Sequence, residues 1–268
     1  MRVPLKGGGV REAVLVEGSA GWGECSPLPG YPCSYERAHA AAEESAFEGW
    51  PPPVRTDIAV NALVSTAEEA VAAVAAGYRC LKVKGVAQVA AIRDAVGPGV
   101  ALRVDANGAW DVDKAVATIR RLARYDLEYV EQPVASLDDL ADVRRQVDVP
   151  IAADECVRTV DDARRLSADL IVLKVQPLGG VRAALAIAEA AAVPAVVTSM
   201  METSIGLAAG LALAAALPEL PFACGLGTAT ALAADVVAEP LIPVAGRLAV
   251  RRPVPDLELL DRYRVAAA

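Results

Sequence analysis

The feature that most constrains this chain is an alternation, from about residue 57 onward, of short apolar runs with longer stretches rich in Ala, Arg and Glu. The short runs predict buried strands. Apolar residues spaced three and four apart in the longer stretches predict amphipathic helices, at 67–76, 113–125 and 181–191. Eight strands are predicted in this way, at residues 58–63, 80–84, 101–105, 128–131, 151–154, 170–174, 195–199 and 222–226.

Strands that alternate with helices are parallel, and eight such units favour a closed (β/α)8 barrel of the TIM type. The alternative is an open, doubly wound sheet. A dinucleotide-binding sheet of that kind needs a Gly-x-Gly-x-x-Gly turn after its first strand, where this chain has Val-Ser-Thr-Ala-Glu-Glu at 64–69. The predicted fold class is therefore α/β, with a barrel over residues 57–238.

The segments on either side of the predicted barrel have a different pattern. Residues 1–56 contain short strand-like runs and a helix for which Ser34 is the expected N-cap. This segment ends at three prolines, 51–53, which neither a helix nor a central strand accommodates. Residues 239–268 hold two short strand-like runs and a predicted helix at 257–263, and we expect them to pack against the N-terminal segment.

The composition excludes several classes of protein. A formal charge of −8 and a pI near 4.9 disfavour a protein that binds nucleic acid or an anionic membrane. Five cysteines with no Cys-x-x-Cys pair, and no apolar stretch suited to a signal peptide or a membrane span, predict a cytoplasmic protein. His39 is the single histidine, and a plain helical residue is favoured there over a catalytic one.

Charged residues recur where the predicted strands end, which is the edge at which a barrel of this type carries its active site. Three consecutive strands end in carboxylates and their neighbours end in lysines, although the chain has only five lysines. Any one of these residues alone is explained as a helix N-cap or a surface lysine, but the whole set is not. The set consists of Lys82, Lys84, Asp105, Glu131, Asp154 and Lys174.

Three carboxylates brought together on adjacent strands repel one another unless a cation lies between them. Oxygen ligands suit Mg²⁺, whereas zinc prefers His and Cys, so the pattern predicts a magnesium site. The lysines that face such a site are the expected acid–base groups, because no nucleophile motif accompanies the lone histidine.

The charged residues lie in five ordered motifs: Leu-Lys-Val-Lys (81–84), Val-Asp-Ala-Asn-Gly-Ala-Trp (104–110), Glu-Gln-Pro (131–133), Ala-Asp-Glu (153–155) and Leu-Lys-Val-Gln-Pro-Leu-Gly-Gly (173–180). These motifs resemble the enolase superfamily, most closely its muconate-lactonizing subgroup and, within that, the o-succinylbenzoate synthase family. Gly-Trp-Gly-Glu-Cys-Ser-Pro-Leu-Pro (21–29) is similar to a loop of the family's capping domain. The resemblance implies a modified TIM barrel with a small α+β capping domain, reduced here to residues 1–56 and the C-terminal tail.

Carried over residue by residue, the resemblance implies that Asp105, Glu131 and Asp154 bind Mg²⁺. Lys84 would be the general base that removes the proton α to the substrate carboxylate, and it would then protonate the departing hydroxyl. Lys174, from the opposite face, would stabilise the enediolate intermediate as a cation and serve as a second acid–base group.

The resemblance also implies substrate contacts. Lys82 would assist electrostatically, and Asn107 would contact the substrate or support the metal ligands. Arg103 shares a strand face with Asp105, and two roles are open for it, an orienting contact in the site and an ion pair inside the barrel. The distal carboxylate of a succinyl tail would be held near the ends of the last two strands, by Ser199, Met200, Met201 and Gly225.

The expected reaction is the Mg²⁺-dependent dehydration of 2-succinyl-6-hydroxy-2,4-cyclohexadiene-1-carboxylate to 2-succinylbenzoate, a step toward menaquinone. The expected partner is thus a small carboxylate with a succinyl tail. Dipeptide epimerases of this subgroup carry Asp-x-Asp at the eighth strand, where this chain reads Cys-Gly-Leu-Gly-Thr (224–228), so that activity is not expected. The alternative is N-succinylamino acid racemase, which shares the two lysines and the succinyl tail, or another isomerase of the subgroup.

Overall fold

The N-terminal part of the chain forms two antiparallel strand pairs and a helix in the computed structural model, which describes residues 1–265. The last three residues of the predicted C-terminal segment, 266–268, lie outside the described residues. The elements are β1 (Arg2–Pro4) with β2 (Val10–Glu12), β3 (Val14–Gly18) with β4 (Gly21–Cys25), helix α1 (Tyr35–Glu43) and a π-helical turn (Glu44–Glu48).

Helix α1 begins as the sequence predicts and lies against β4. The Ser34 hydroxyl accepts a hydrogen bond from the Arg37 N–H and caps the helix, on which His39 is a half-buried residue. A Cβ atom at Gly23 would lie 2.0 Å from the carbonyl oxygen of Ala42, so only glycine allows the strand to approach the helix this closely.

Seven parallel strands and the helices between them form the barrel. A short strand, β5 (Asp57–Ala59), comes before these seven and is not one of them. Within the seven, each strand pairs with the next one along the chain. These strands are β6 (Ala62–Val64), β7 (Cys80–Lys84), β8 (Ala101–Asp105), β9 (Tyr129–Glu131), β10 (Ile151–Ala153), β11 (Leu170–Leu173) and β12 (Ala195–Val197).

Two of the eight predicted strands are not single strands of the parallel sheet, and four others, β9 to β12, are one or two residues shorter than predicted. The run 58–63 is divided between β5 and β6, because β5 pairs antiparallel with β13 (Arg247–Ala249) instead of joining the parallel sheet. The run 222–226 forms no regular strand, but Cys224 bridges Val60 and Gly225 bridges Thr198, both in parallel. These bridges fill the eighth position and close the barrel.

Side chains alternate along each strand, so one set faces the helices and the other faces the barrel interior. The outward set is apolar and packs under the helices α2 (Ala67–Ala75), α3 (Val89–Val96), α4 (Val112–Leu122), α5 (Leu137–Arg144), α6 (Val160–Arg164), α7 (Val175–Leu178), α8 (Val181–Ala191) and α9 (Ser204–Ala216). The inward set forms a second buried cluster of Tyr129, Ala152, Leu170, Val172 and Val196, next to Arg103. The charged residues at the strand ends lie on this inward face.

The C-terminal segment contacts the N-terminal one. After β13, helix α10 (Leu257–Tyr263) places Leu260 in a buried cluster with Val3, Ile205, Val236 and Val237. The predicted helix at 257–263 is thus confirmed. Within residues 1–265, none of the helices is both long and apolar enough to cross a membrane.

Candidate active site

Strand register places the charged residues of the ring next to one another. Lys84 lies opposite Asp105 where β7 pairs with β8, and Asp105 lies opposite Glu131 where β8 pairs with β9. Asp154 and Lys174 follow directly after β10 and β11 and continue the ring. The sequence pattern therefore predicts the neighbours correctly, because parallel strands bring their carboxyl ends to one edge.

A cavity of about 390 Å³ opens at this end of the barrel, a volume in the range of small-molecule sites. Most of the predicted site residues line this cavity: Lys82, Lys84, Asp105, Asn107, Asp154, Lys174, Ser199, Met200, Met201 and Gly225. Glu131 lies beneath it and is fully buried, in contact with Lys82.

Two buried lysines pair with the carboxylates. Lys82 Nζ lies 2.6 Å from Glu131 Oε1 and 3.0 Å from Asp105 Oδ2, and Lys174 Nζ contacts Asp154 Oδ2. Burial alone would lower the pKa of Lys82, but Glu131 and Asp105 outweigh burial and raise the pKa above its ordinary value. Asp154 and Glu131 raise the pKa of Lys174 in the same way, again against the effect of burial. Both lysines are therefore ammonium ions at neutral pH.

Lys84 is the lysine that reaches the open part of the cavity. Its side chain is 54% exposed, compared with 12% for Lys82 and 10% for Lys174. Its Nζ atom donates to Asn107 Oδ1 at 3.1 Å and lies 3.8 Å from Asp105 Oδ2. Of the three lysines, it is the one whose amine is most accessible to exchange a proton with a bound molecule.

The carboxylates present an oxygen-only donor set that fits a divalent cation. Glu131 Oε2 is buried and has no hydrogen-bond partner. Burial raises the pKa of Glu131 to about 7, and the repulsion of Asp105 and Asp154 adds to this rise, although Lys82 opposes it. In the described part of the chain no three His, Cys, Asp or Glu side chains already converge as ligands, and these carboxylates contact lysines instead. An unpartnered buried oxygen among acids suits Mg²⁺.

Gln132 fixes the loop that carries Asp154. Its side-chain oxygen accepts a hydrogen bond from the Asp154 N–H at 2.7 Å, and its side-chain nitrogen donates to the Val134 carbonyl at 2.7 Å. Its φ of 40° lies in the left-handed region, which turns the chain sharply after β9. The Glu-Gln-Pro motif thus positions two carboxylates, that of Glu131 through strand register and that of Asp154 through a hydrogen bond.

Two residues of the N-terminal segment, Leu28 and Tyr31, also line the cavity. The Tyr31 hydroxyl donates to Asp154 Oδ1 at 2.8 Å and accepts from Lys174 Nζ at 3.1 Å. Burial and the nearby Asp154 carboxylate raise the pKa of Tyr31 far above its ordinary value, so the hydroxyl keeps its proton. The sequence does not predict Tyr31 as a site residue, because its partners lie 123 and 143 positions away and leave no local pattern.

The part of the cavity next to β12 and the eighth strand position carries no charge. Ser199 Oγ donates to the Gly225 carbonyl at 2.8 Å and lies 2.8 Å from Thr228 Oγ1. A Cβ atom on Gly225 would lie 2.8 Å from Cγ2 of Thr198, so a side chain does not fit there without displacing Thr198. Hydroxyl groups and backbone, with Met200 beside them, form this region.

Arg103 does not line the cavity. It is fully buried, with Nε 2.5 Å from Glu128 Oε2 and Nη1 donating to the Ala223 carbonyl at 2.7 Å. Its guanidinium lies 4.6 Å from the centre of the Tyr129 ring. Two residues before Asp105 on the same strand face, Arg103 lies roughly 6.5 Å deeper in the barrel. Of its two open roles, these contacts match the interior ion pair and do not bring Arg103 to a substrate.

Comparison with known proteins agrees with the fold. The family model for "Enolase C-terminal domain-like" proteins matches residues 65–255, and the "Enolase N-terminal domain-like" model matches residues 1–46. The o-succinylbenzoate synthase of Thermobifida fusca is 55% identical over 94% of this chain and 85% of that protein. The o-succinylbenzoate synthase of Mycobacterium tuberculosis H37Rv is 47% identical over 96% of this chain and 83% of that protein.

Among solved structures, muconate lactonizing enzyme from Pseudomonas putida has the same fold, with a TM-score of 0.86 at 22% identity over 98% of this chain and 97% of that one. The chain belongs to the enolase superfamily. Its identity to the two synthases, over nearly its whole length, places it in the o-succinylbenzoate synthase family of carbon–oxygen lyases. The resemblance drawn from the sequence motifs is thereby confirmed.

Proposed function

We propose that this protein dehydrates 2-succinyl-6-hydroxy-2,4-cyclohexadiene-1-carboxylate to 2-succinylbenzoate in a Mg²⁺-dependent reaction on the route to menaquinone. The observation that carries the proposal is the arrangement of Lys84 and Lys174 in one cavity beside three strand-end carboxylates. The two o-succinylbenzoate synthases that are 55% and 47% identical to this chain support the choice of product.

Lys84 acts as the base and then as the acid. As a free amine it takes the proton from the ring carbon that bears the carboxylate, and the C–O bond on the neighbouring carbon breaks. The proton held by Lys84 leaves with the hydroxyl group as water, and the new double bond completes an aromatic ring. A single group on one side of the ring serves both steps, which suits the exposed and lightly bonded Lys84 amine.

Lys174 acts as a cation. The proton α to a carboxylate is very weakly acidic, so negative charge develops on the substrate carboxylate as that proton leaves. The Lys174 ammonium stabilises this charge, and its contact with Asp154 keeps it protonated throughout. It therefore lowers the energy of the transition state without transferring a proton itself.

Asp105, Glu131 and Asp154 are the residues that hold Mg²⁺ in this proposal. When bound, the ion supplies positive charge that makes the α-proton more acidic. Lys82, which contacts both Glu131 and Asp105, reduces the net negative charge of this ligand set. Asn107, hydrogen-bonded to Lys84, keeps the base directed into the cavity.

The uncharged part of the cavity receives the succinyl tail. The Thr228 hydroxyl donates to the distal carboxylate, Ser199 and the backbone at Gly225 form the wall beside it, and Met200 and Met201 flank the chain of the tail. Neutral donors hold a carboxylate by hydrogen bonds alone, which selects for its position and for the length of the tail.

Residues 1–56 act as a reduced capping domain over the barrel of residues 57–238, completed by the C-terminal segment 239–268. Leu28 and Tyr31 support this division, since both reach into the cavity from the N-terminal segment. We also propose a cytoplasmic location, because five free cysteines are typical of a reducing compartment.

N-succinylamino acid racemase is the second candidate, because that reaction needs two lysines that face one carbon from opposite sides. Lys84 and Lys174 both line the cavity, which favours this activity as an alternative. A racemase requires Lys174 to exchange its proton, however, whereas here its ammonium is held by Asp154 and Tyr31. Lys174→Ala should therefore abolish racemisation and leave more residual dehydration.

The test follows the loss of the cyclohexadiene absorbance with Mg²⁺, with EDTA, and with EDTA followed by excess Mg²⁺. The same preparation is assayed for racemisation of an N-succinylamino acid. We expect fast dehydration that EDTA abolishes and Mg²⁺ restores, with slow racemisation. Racemisation that outpaces dehydration, or dehydration that is indifferent to EDTA, would contradict the proposal.

A further inference from the structure

We propose that Tyr31 is a positioning residue that fixes the ammonium group of Lys174 from the N-terminal segment. The inference rests on the role proposed above for Lys174. Tyr31 lies in the loop between β4 and α1, and its hydroxyl is within hydrogen-bond distance of both Lys174 and Asp154.

The three side chains form a closed ring of hydrogen bonds. Tyr31 donates to Asp154 Oδ1 at 2.8 Å, Lys174 donates to the Tyr31 hydroxyl oxygen at 3.1 Å, and Lys174 also donates to Asp154 Oδ2. An ammonium group has three N–H donors, and the ring uses two of them. The third is left for the cavity that Lys174 lines, so the ring determines the direction in which the charge is presented.

The aromatic ring of Tyr31 adds a second restraint. Lys174 Nζ lies 4.5 Å from the centre of that ring, a distance at which the negative face of an aromatic ring attracts a cation. Removal of the hydroxyl alone would leave this contact in place, whereas removal of the ring would remove both restraints. The two contributions can therefore be separated by substitution.

The loop that carries Tyr31 is attached to the same element as Lys174. The Ser26 N–H donates to Gln176 Oε1 at 2.8 Å, and Gln176 Nε2 donates back to Ser26 Oγ at 3.1 Å. Gln176 lies in α7, two residues after Lys174. Arg11 also donates to the Pro27 carbonyl at 3.2 Å. A shared anchor keeps the tyrosine and the lysine at a constant separation.

The experiment compares Tyr31→Phe and Tyr31→Leu with Tyr35→Phe as the matched control. Tyr35 begins α1 only four residues later, but its side chain is exposed and faces His39. Phe keeps the volume and the ring of Tyr31, so this variant retains the fold even if the Leu variant does not.

The first measurement is the rate at which acetic anhydride modifies Lys174, followed by mass spectrometry and normalised to the exposed Lys114. It needs neither substrate nor metal. Loss of one hydrogen bond to a charged group corresponds to about a tenfold change in an equilibrium constant. We therefore expect Lys174 to react about tenfold faster in Tyr31→Phe. The increase should be larger in Tyr31→Leu and absent in Tyr35→Phe. Unchanged Lys174 reactivity in both Tyr31 variants would overturn the proposal.

The second measurement is steady-state dehydration with Mg²⁺. Because Lys174 acts on charge that develops only in the transition state, Tyr31→Phe should lower kcat about tenfold and leave KM within about twofold. In a Lys174→Met background the same substitution should have no further effect. A Tyr31→Phe effect that persists undiminished in that background would contradict the proposal.

The two measurements distinguish failure of the inference from failure of the proposed function. Faster acetylation of Lys174 in a protein that does not dehydrate the substrate would retain the positioning role and reject the function. Dehydration with wild-type kcat in Tyr31→Phe would retain the function and reject the positioning role.

Discussion

Lys84 and Asn107 are joined by a hydrogen bond from the lysine Nζ to the amide oxygen at 3.1 Å. Asn107 is itself fixed from the other side, since its Nδ2 donates to Glu155 Oε1 at 3.2 Å. Its φ of 48° lies in the left-handed region, which asparagine adopts more readily than most residues. The Lys84 amine, which we propose as the base, is thus directed by a side chain whose backbone and amide are both constrained.

Replacement of Asn107 by glycine should lower kcat about tenfold, because Lys84 loses the partner that orients it. Glycine permits the positive φ, so the thermal midpoint should change little. The matched control is Asp126→Gly, which also has a positive φ, 49°, but lies outside the cavity. Steady-state kinetics on both variants check this, and a wild-type kcat in Asn107→Gly would show that Asn107 does not orient the base.

Replacement of Arg103 by methionine should reduce stability rather than substrate affinity. Glu128, whose side chain is 27% exposed, would lose its partner and the Ala223 carbonyl would lose its donor, which we expect to cost about 2 kcal/mol in the free energy of unfolding. Urea unfolding is the measurement, with Arg164→Met as the control, because its ion pair with Asp161 is exposed and contributes less than about 1 kcal/mol. A raised KM with unchanged stability would instead mean that Arg103 contacts the substrate.

Stability should depend on pH through Glu24, at the end of β4. Burial raises the pKa of Glu24 from its ordinary 4.5 to about 7, although hydrogen bonds from Ser26 and Thr203 oppose the shift. The folded state binds the Glu24 proton more tightly than the unfolded chain does, so protonation of Glu24 stabilises the fold. This contribution to the free energy of unfolding is full below about pH 4.5 and is lost as the pH rises through about 7.

Relative to a Glu24→Gln variant, the wild-type protein should therefore lose about 2 to 3 kcal/mol of unfolding free energy between pH 5 and pH 8. Glutamine has nearly the same shape and does not titrate, and although its amide nitrogen faces donors such as the Gly206 N–H, that cost is the same at both pH values. Urea denaturation at the two pH values checks the prediction. A difference between the two proteins that is the same at both values would mean that Glu24 does not titrate in this range.

The strand-end residues were predictable because their position depends on local pattern alone. β7 and β8 have the predicted bounds, and their last residues, Lys84 and Asp105, lie in the cavity. A strand shows which residues share a face but not how deep each one lies. The sequence therefore does not decide whether Arg103 lies in the site or in the barrel interior beneath it.

The rest of the site depends on contacts between distant segments. Tyr31 lies in a loop without periodicity, and only the folded chain brings it to Lys174. The sequence correctly predicts that Gly225 lies at the eighth strand position, but the regular strand predicted there is absent from the described residues. Two isolated bridges close the barrel at that position, one between Gly225 and Thr198 and the other between Cys224 and Val60. Neither arrangement follows from residue type or spacing.

Replacement of Lys84 by alanine tests whether this residue is the base. The control is Lys114→Ala, which removes an exposed lysine from α4 on the outside of the barrel. With the cyclohexadiene substrate and Mg²⁺, we expect Lys84→Ala to lose at least about a thousandfold in kcat, while its thermal midpoint and the activity of the control stay unchanged. A folded Lys84→Ala protein with activity within about tenfold of wild type would show that Lys84 is not the base.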